Sequence, residues 1–149
     1  MNQINKIFIA VDLNEEKIHP FYPLRQMGIL ENNEIHLVYI FRTISLNFDV
    51  NEYPVAYPLI EDKQEIEKKA LVYLRKIADE LSPNNSKMFL HCLFSERPKK
   101  AFCEFVEKEK PHLIILAARE KKGTFEGSFS QYVTKHTHSH VLILKPKNS

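Results

Sequence analysis

An α/β fold built on one parallel sheet is what this sequence predicts, and three observations predict it. Five short apolar runs are spread along the chain. Segments with helical periodicity, or with helix-start signals, lie between them. Turn residues (Pro, Asn, Gly) punctuate most of the junctions. The resulting order β-α-β-α-β-α-β-α-β implies parallel pairing, right-handed crossovers and helices on both faces of a doubly wound sheet. At 149 residues the chain suits a single domain, 1–149, with a sizeable core.

Each element has its own signal. Residues 6–12, KIFIAVD, form a near-continuous apolar run ending in an acid, as expected of a central strand buried on both faces. Asn14 is a candidate helix cap, but Pro20 and Pro23 follow, so a short helix is expected from about Pro20 to Gly28. Residues 34–41, EIHLVYIF, give the second strand. Residues 42–58 show no helical period and contain Pro54 and Pro58, which predicts a long crossover loop with a possible role as a lid. The clearest helix covers 61–81, where Ile66, Ala70, Leu74, Ile77, Ala78 and Leu81 make one stripe. The third strand is 87–94, KMFLHCLF. Ser95 is expected to cap a helix with Pro98 in its first turn and Ala101, Phe102, Phe105 and Val106 inward. Residues 112–118 give the fourth strand. Ser128 and Gln131 have capping-box spacing for a last helix, and 140–145, HVLILK, is the fifth strand.

Composition excludes several classes of function. Hydrophobic residues make up 44% and charged residues 27%, which is ordinary for a folded globular chain. The net charge of +2 comes from intermixed acids and bases, so nucleic acid is not implied as a partner. The longest apolar runs, about six to eight residues, fall well short of the roughly 20 that span a bilayer. The N-terminus leads into a strand without room for a signal peptide, so cytoplasm is the expected compartment and no membrane partner is expected. Cys92 and Cys103 fit neither a disulfide framework nor a zinc pattern and read as small buried groups.

The segments that carry a family resemblance are the opening KIFIAVDL, the stretch ERPKKAFCEFVEKEKPHLIILAA, and above all GSFSQYVTKHTHSHVLILKP, residues 127–146. Together they resemble a universal stress protein over nearly the whole chain. The resemblance implies strand order 3-2-1-4-5 and a homodimer formed partly by the last strand, with Val141, Leu142, Ile143 and Leu144 at the interface. An apolar, uncovered edge strand is compatible with that pairing. The ATP-binding branch of the family has the pattern G-x2-G-x9-G-[S/T], with the acid of the first strand and nearby backbone around adenine. Here this implies a nucleotide site at Ala10, Val11, Asp12, Ala117, Gly127, Ser128, Phe129 and Ser130. The match is partial. Ala117 and Glu120 stand where the first two glycines belong, and only six residues separate Glu120 from Gly127 where the pattern has nine. Alanine restricts the backbone where glycine would let it approach phosphate. A carboxylate at Glu120 opposes a polyanion, although Lys121 and Lys122 follow directly. The chain therefore resembles the branch with a degenerate glycine motif.

The site residues have structural roles beside functional ones. Asp12 suits a ligand contact or a turn cap. Ser128 suits a phosphate donor or a helix cap, and a helix start supports both at once. His136, His138 and His140 alternate as metal ligands would on a strand, but His136 falls in the last helical turn, which separates them and leaves no metal site expected. His36 and His91 read as satisfied core histidines. No Ser-His-Asp spacing, metalloprotease helix or Walker lysine motif appears. The leading expectation is a small homodimeric regulatory or stress-response module without tight nucleotide binding and without catalytic residues, using its surface and the 42–58 loop for a protein partner. The alternatives are an ATP-binding module with slow or no hydrolysis, with ATP as its cofactor, and an α/β enzyme with an unrecognised site.

Overall fold

The computed structural model describes residues 4–12, 21–47, 54–57, 60–81, 86–117, 119–121, 124–126 and 128–145. Among these residues the elements are, in order, β1 (Lys6–Ala10), α1 (Pro23–Met27), β2 (Glu34–Arg42), β3 (Ile44–Asn47), β4 (Pro54–Tyr57), α2 (Ile60–Leu81), β5 (Lys87–Ser95), α3 (Pro98–Glu109), β6 (Leu113–Ala117), β7 (Arg119–Lys121), β8 (Thr124–Glu126), α4 (Ser128–His136) and β9 (His140–Leu144). The main sheet is five-stranded and parallel, in the order β5-β2-β1-β6-β9. Counted among its own strands that is 3-2-1-4-5, the expected order. The first and fourth strands are neighbours, with Ile7 opposite Leu113 and Ile9 opposite Ile115.

Side-chain alternation along the central strands divides the core into two layers. Ile7 and Ile9 of β1, with Ile35, Leu37 and Ile115, meet Leu24 of α1 and Leu74, Ile77, Ala78 and Leu81 of α2. Phe8, Val38, Ile114 and Leu116 point the other way and meet Phe102, Cys103 and Val106 of α3 and Val133 of α4. Phe8 and Ile9 are fully buried. Removing each from water contributes about 1.5–3 kcal/mol, so β1 anchors both layers.

The local signals mostly resolve as expected, with shifts that have physical causes. The first helix begins at Pro23 instead of Pro20, with proline in its first turn, and ends at Gly28, whose φ of 69° is the left-handed cap that glycine tolerates. Ser95 closes β5 instead of capping α3. Its hydroxyl oxygen accepts the Arg97 N–H at 3.0 Å, and Arg97 itself holds the N-cap position. The long loop expected over 42–58 is corrected in part. Ile44–Asn47 and Pro54–Tyr57 pair antiparallel, with Asn47 opposite Pro54. Both segments lack a helical period and are only four residues long, and Pro54 takes the strand-initial position that proline tolerates. The candidate cap Asn14 and the middle of the 42–58 segment, with its expected role as a lid, lie outside the described residues.

Candidate functional site

In a doubly wound sheet, the crevice at the carboxyl ends of the strands opens where chain connections leave in opposite directions. Here that point lies between β1 and β6. From β1 the chain proceeds outward to β2 and β5, then returns to β6 and continues to β9. Asp12 follows β1, and Ala117 ends β6 opposite Leu144 of β9. Continued by two residues, the β1–β6 register sets Val11 level with Ala117. The Val11 N–H donates to the Val38 carbonyl at 2.9 Å and so prolongs the ladder past Ala10. Val11 is buried, while Ala10, Asp12 and Ala117 are half-buried. The sheet thus delivers Asp12 to the crevice on a rigid backbone.

The other half of the candidate site is α4. Its helical stretch begins at Ser128, so free N–H groups of the first turn belong to this end of the element. Phe129 is half-buried and meets the Phe102 ring at 5.5 Å, which ties the helix start to α3. Ser130 is buried, and its carbonyl accepts the Thr134 hydroxyl at 2.8 Å. Gly127 and the Ser128 side chain lie outside the described residues, so the capping-box expectation with Gln131 lies there too. Between β6 and α4 the chain forms a short antiparallel ladder, with Arg119 opposite Glu126, Glu120 opposite Phe125 and Lys121 opposite Thr124. The sequence reading missed this hairpin. Its available signal was Lys122-Gly123, a two-residue turn candidate followed by the β-formers Thr124 and Phe125.

The remaining candidates separate cleanly. The alternating histidines do not converge: His136 Nδ1 lies 2.8 Å from the Tyr132 carbonyl within α4, and His138 pairs with Glu107 of α3 at 3.1 Å. The hydrogen bonds from His138 hold the Glu107 carboxyl below its ordinary range. Among the described residues no group of three His, Cys, Asp or Glu could hold a metal ion. Burial pushes both thiols up to about 11, with nearby carboxylates adding to the effect, so Cys92 and Cys103 carry little thiolate near neutral pH. Tyr39, on β2, is also raised, first by burial. Among the described residues no helix is long and apolar enough to cross a membrane.

A groove of about 1010 Å³ lies at the opposite pole of the sheet, around Asn33, Glu107, Lys110, His112 and His138. Several of its polar groups are already engaged. Asn33 accepts the Asn5 N–H and donates to the Ile29 carbonyl, and His112 Nδ1 accepts the Lys6 N–H. These bonds stitch the starts of the strands together. Its polar groups serve the strand starts, whereas topology and a helix start favour the carboxyl crevice, which remains the stronger candidate.

Comparison with known proteins agrees with the architecture. The profile of the Universal stress protein family matches residues 4–145. Among solved structures, the hypothetical protein MJ0577 superposes with a TM-score of 0.72 at 21% identity, covering 97% of this chain and 98% of that one. The universal stress protein from Archaeoglobus fulgidus in complex with dAMP gives 0.57 at 16%, covering 97% and 100%. A universal stress protein in complex with cAMP gives 0.64 at 12%, covering 98% and 100%. No curated protein matches the sequence. With the family profile spanning 4–145 and the 3-2-1-4-5 sheet in place, the chain belongs to the universal stress protein family.

Proposed function

We propose that this universal stress protein is a non-catalytic, homodimeric regulatory module of the cytoplasm that does not bind ATP tightly. The observation that carries this reading is the ladder between Arg119–Lys121 and Thr124–Glu126. A triphosphate cradle needs backbone N–H groups free to converge on the phosphates. In an antiparallel ladder, a share of those donors is committed to the facing strand. Ala117 and Glu120 add to the argument, since neither offers the freedom of glycine and one carries a negative charge. For the dimer, the support is β9 itself. It is an edge strand, and Ile143 leaves 39% of its surface exposed there.

A second reading has its own support: an adenine mononucleotide held between Asp12 and the start of α4. Relatives of this fold carry dAMP and cAMP. A single phosphate requires only a helix start, which the chain retains at Ser128, and not a glycine loop.

Calorimetric titration with Mg-ATP and separately with AMP tests both. No saturable ATP binding in the micromolar range is expected. Saturable ATP binding weakened by Asp12→Ala and by Gly127→Val overturns the leading reading. AMP binding without ATP binding, lost in Asp12→Ala, selects the mononucleotide.

A further inference from the structure

The edge strand β5 is fastened to β2 by side chains as well as by its ladder. His36, only 6% exposed, lies on the α3 face of β2. Its Nε2 stands 2.6 Å from Glu34 Oε1, and its Nδ1 stands 2.7 Å from Nε2 of His91 on β5. The two imidazole planes are within 9° and their centroids 5.0 Å apart. With nitrogens 2.7 Å apart, the rings meet edge to edge in nearly one plane, the geometry of an N–H···N bond. Phe89 of β5 stacks on His36 at 4.6 Å and 12°. Phe8 flanks His36 at 4.9 Å, and Phe105 of α3 meets His91 edge-on at 5.1 Å.

Proton counting sets the behaviour of this chain of groups. A neutral imidazole has one donor nitrogen and one acceptor, and an imidazolium has two donors. With Glu34 ionised, His36 donates from Nε2 to the carboxylate, and its Nδ1 accepts from His91 Nε2. One added proton is accommodated. It sits on His91 Nδ1 with the bond unchanged, or on His36 Nδ1 with the bond reversed toward a His91 that holds its proton on Nδ1. A second added proton puts hydrogen on both facing nitrogens, and the contact can no longer exist. We propose that the His36–His91 pair is an acid-sensitive latch that holds β5 against β2 and releases it when both rings are protonated.

The surroundings of His91 set the direction of the pH dependence. Glu34 on β2 bonds His36 and is itself flanked by the charges of Lys6 on β1 and Lys87 on β5, and Glu109 on α3 bears on His91. Burial holds His91 below the ordinary histidine range, the charge of His36 lowers it further, and Glu109 partly opposes them. A histidine lowered in the folded state binds fewer protons than the unfolded chain does. Its contribution is complete above the unfolded value of about 6.5 and is lost as pH falls below it. Glu34 is held low, chiefly by the hydrogen bond from His36, so its own contribution is lost only at lower pH, below the ordinary carboxylate value.

Amide hydrogen exchange, corrected for the intrinsic rate, tests the latch strand by strand. Between about pH 7.5 and about pH 5, protection in β5 is expected to be lost progressively while that in β6 is retained. His91→Phe keeps an aromatic ring but removes the bond and the titration, so β5 protection should become independent of pH. Parallel loss of protection in β5 and β6, or an unchanged pH dependence in His91→Phe, overturns the proposal. Nitrogen-detected spectra of the imidazoles in the unmodified protein give a test that needs no variant. Coupled titration of His36 and His91 supports the latch, and two independent titrations overturn it.

Discussion

The sheet has two edges, and they are finished in different ways. β5 runs nine residues and pairs with β2 along all nine. Its residues are half-buried through most of its length, and directional groups hold it to the rest of the chain: the His36–His91 bond to β2 on one face, and on the other the Lys63 ammonium lying 5.6 Å from the Phe94 ring centre. β9 has only five residues, pairs among the described residues with β6 alone, and is aliphatic from Val141 to Leu144. Directional contacts fix one partner in one geometry and respond to protons. Aliphatic contacts accept any complementary apolar surface. The comparison teaches that an edge strand can be fastened to its neighbour by directional side-chain chemistry or by aliphatic burial alone, and only the second leaves an apolar surface that a second copy can extend.

The largest effect is expected inside β9, because its four apolar residues do not share one role. Leu144 is 6% exposed and belongs to the layer beneath α1 and α2, whereas Ile143 is 39% exposed. Leu144→Ala should cost about 2–5 kcal/mol in denaturant unfolding, from lost burial and the cavity left behind. Ile143→Lys should change the stability of the folded chain by no more than about 0.5 kcal/mol. Its expected consequence is a halved sedimenting mass. Equal costs at the two positions would break the division of β9 into core and surface. An unchanged mass in Ile143→Lys would move the proposed dimer contact away from this edge.

How much of this was legible in the sequence depends on what each signal measures. The five main strands and the helices α2, α3 and α4 were readable because hydrophobic periodicity reports burial directly, and their burial is decided by the sheet. The stripe Ala70, Leu74, Ile77, Ala78 and Leu81 is buried as its spacing required. The two hairpins were not read. β3–β4 and β7–β8 are three or four residues per strand, too short for periodicity to separate from loop. Only turn chemistry marks them, and only in the second does Lys122-Gly123 provide it. Leu144 was read as an interface residue because an apolar edge strand does not disclose which side faces its own helices. His36 is buried and hydrogen-bonded, as a core histidine was expected to be, whereas His91 is hydrogen-bonded but half-buried on an edge strand. Their partnership was invisible because it is diagonal across β2 and β5, with Val38 the residue opposite His91.

A smaller effect sharpens the account of β5 by separating its end from its middle. At the carboxyl end, the Thr43 N–H donates to the Ser95 carbonyl at 2.9 Å, and the Ser95 hydroxyl oxygen accepts the Arg97 N–H at 3.0 Å. The Arg97 side chain makes no cap bond to α3, so this hydroxyl steers the turn from strand into helix. Ser95→Ala should cost about 0.5–1.5 kcal/mol, the usual net worth of one hydrogen bond. Neither group titrates in the range where the histidines do, so the cost should be the same at neutral and mildly acidic pH. His91→Phe should behave oppositely, lowering β5 protection near neutrality and removing its dependence on pH. If Ser95→Ala also altered the pH dependence, acid sensitivity would belong to the fraying of β5 from its end, and the imidazole pair would lose its claim to be the latch.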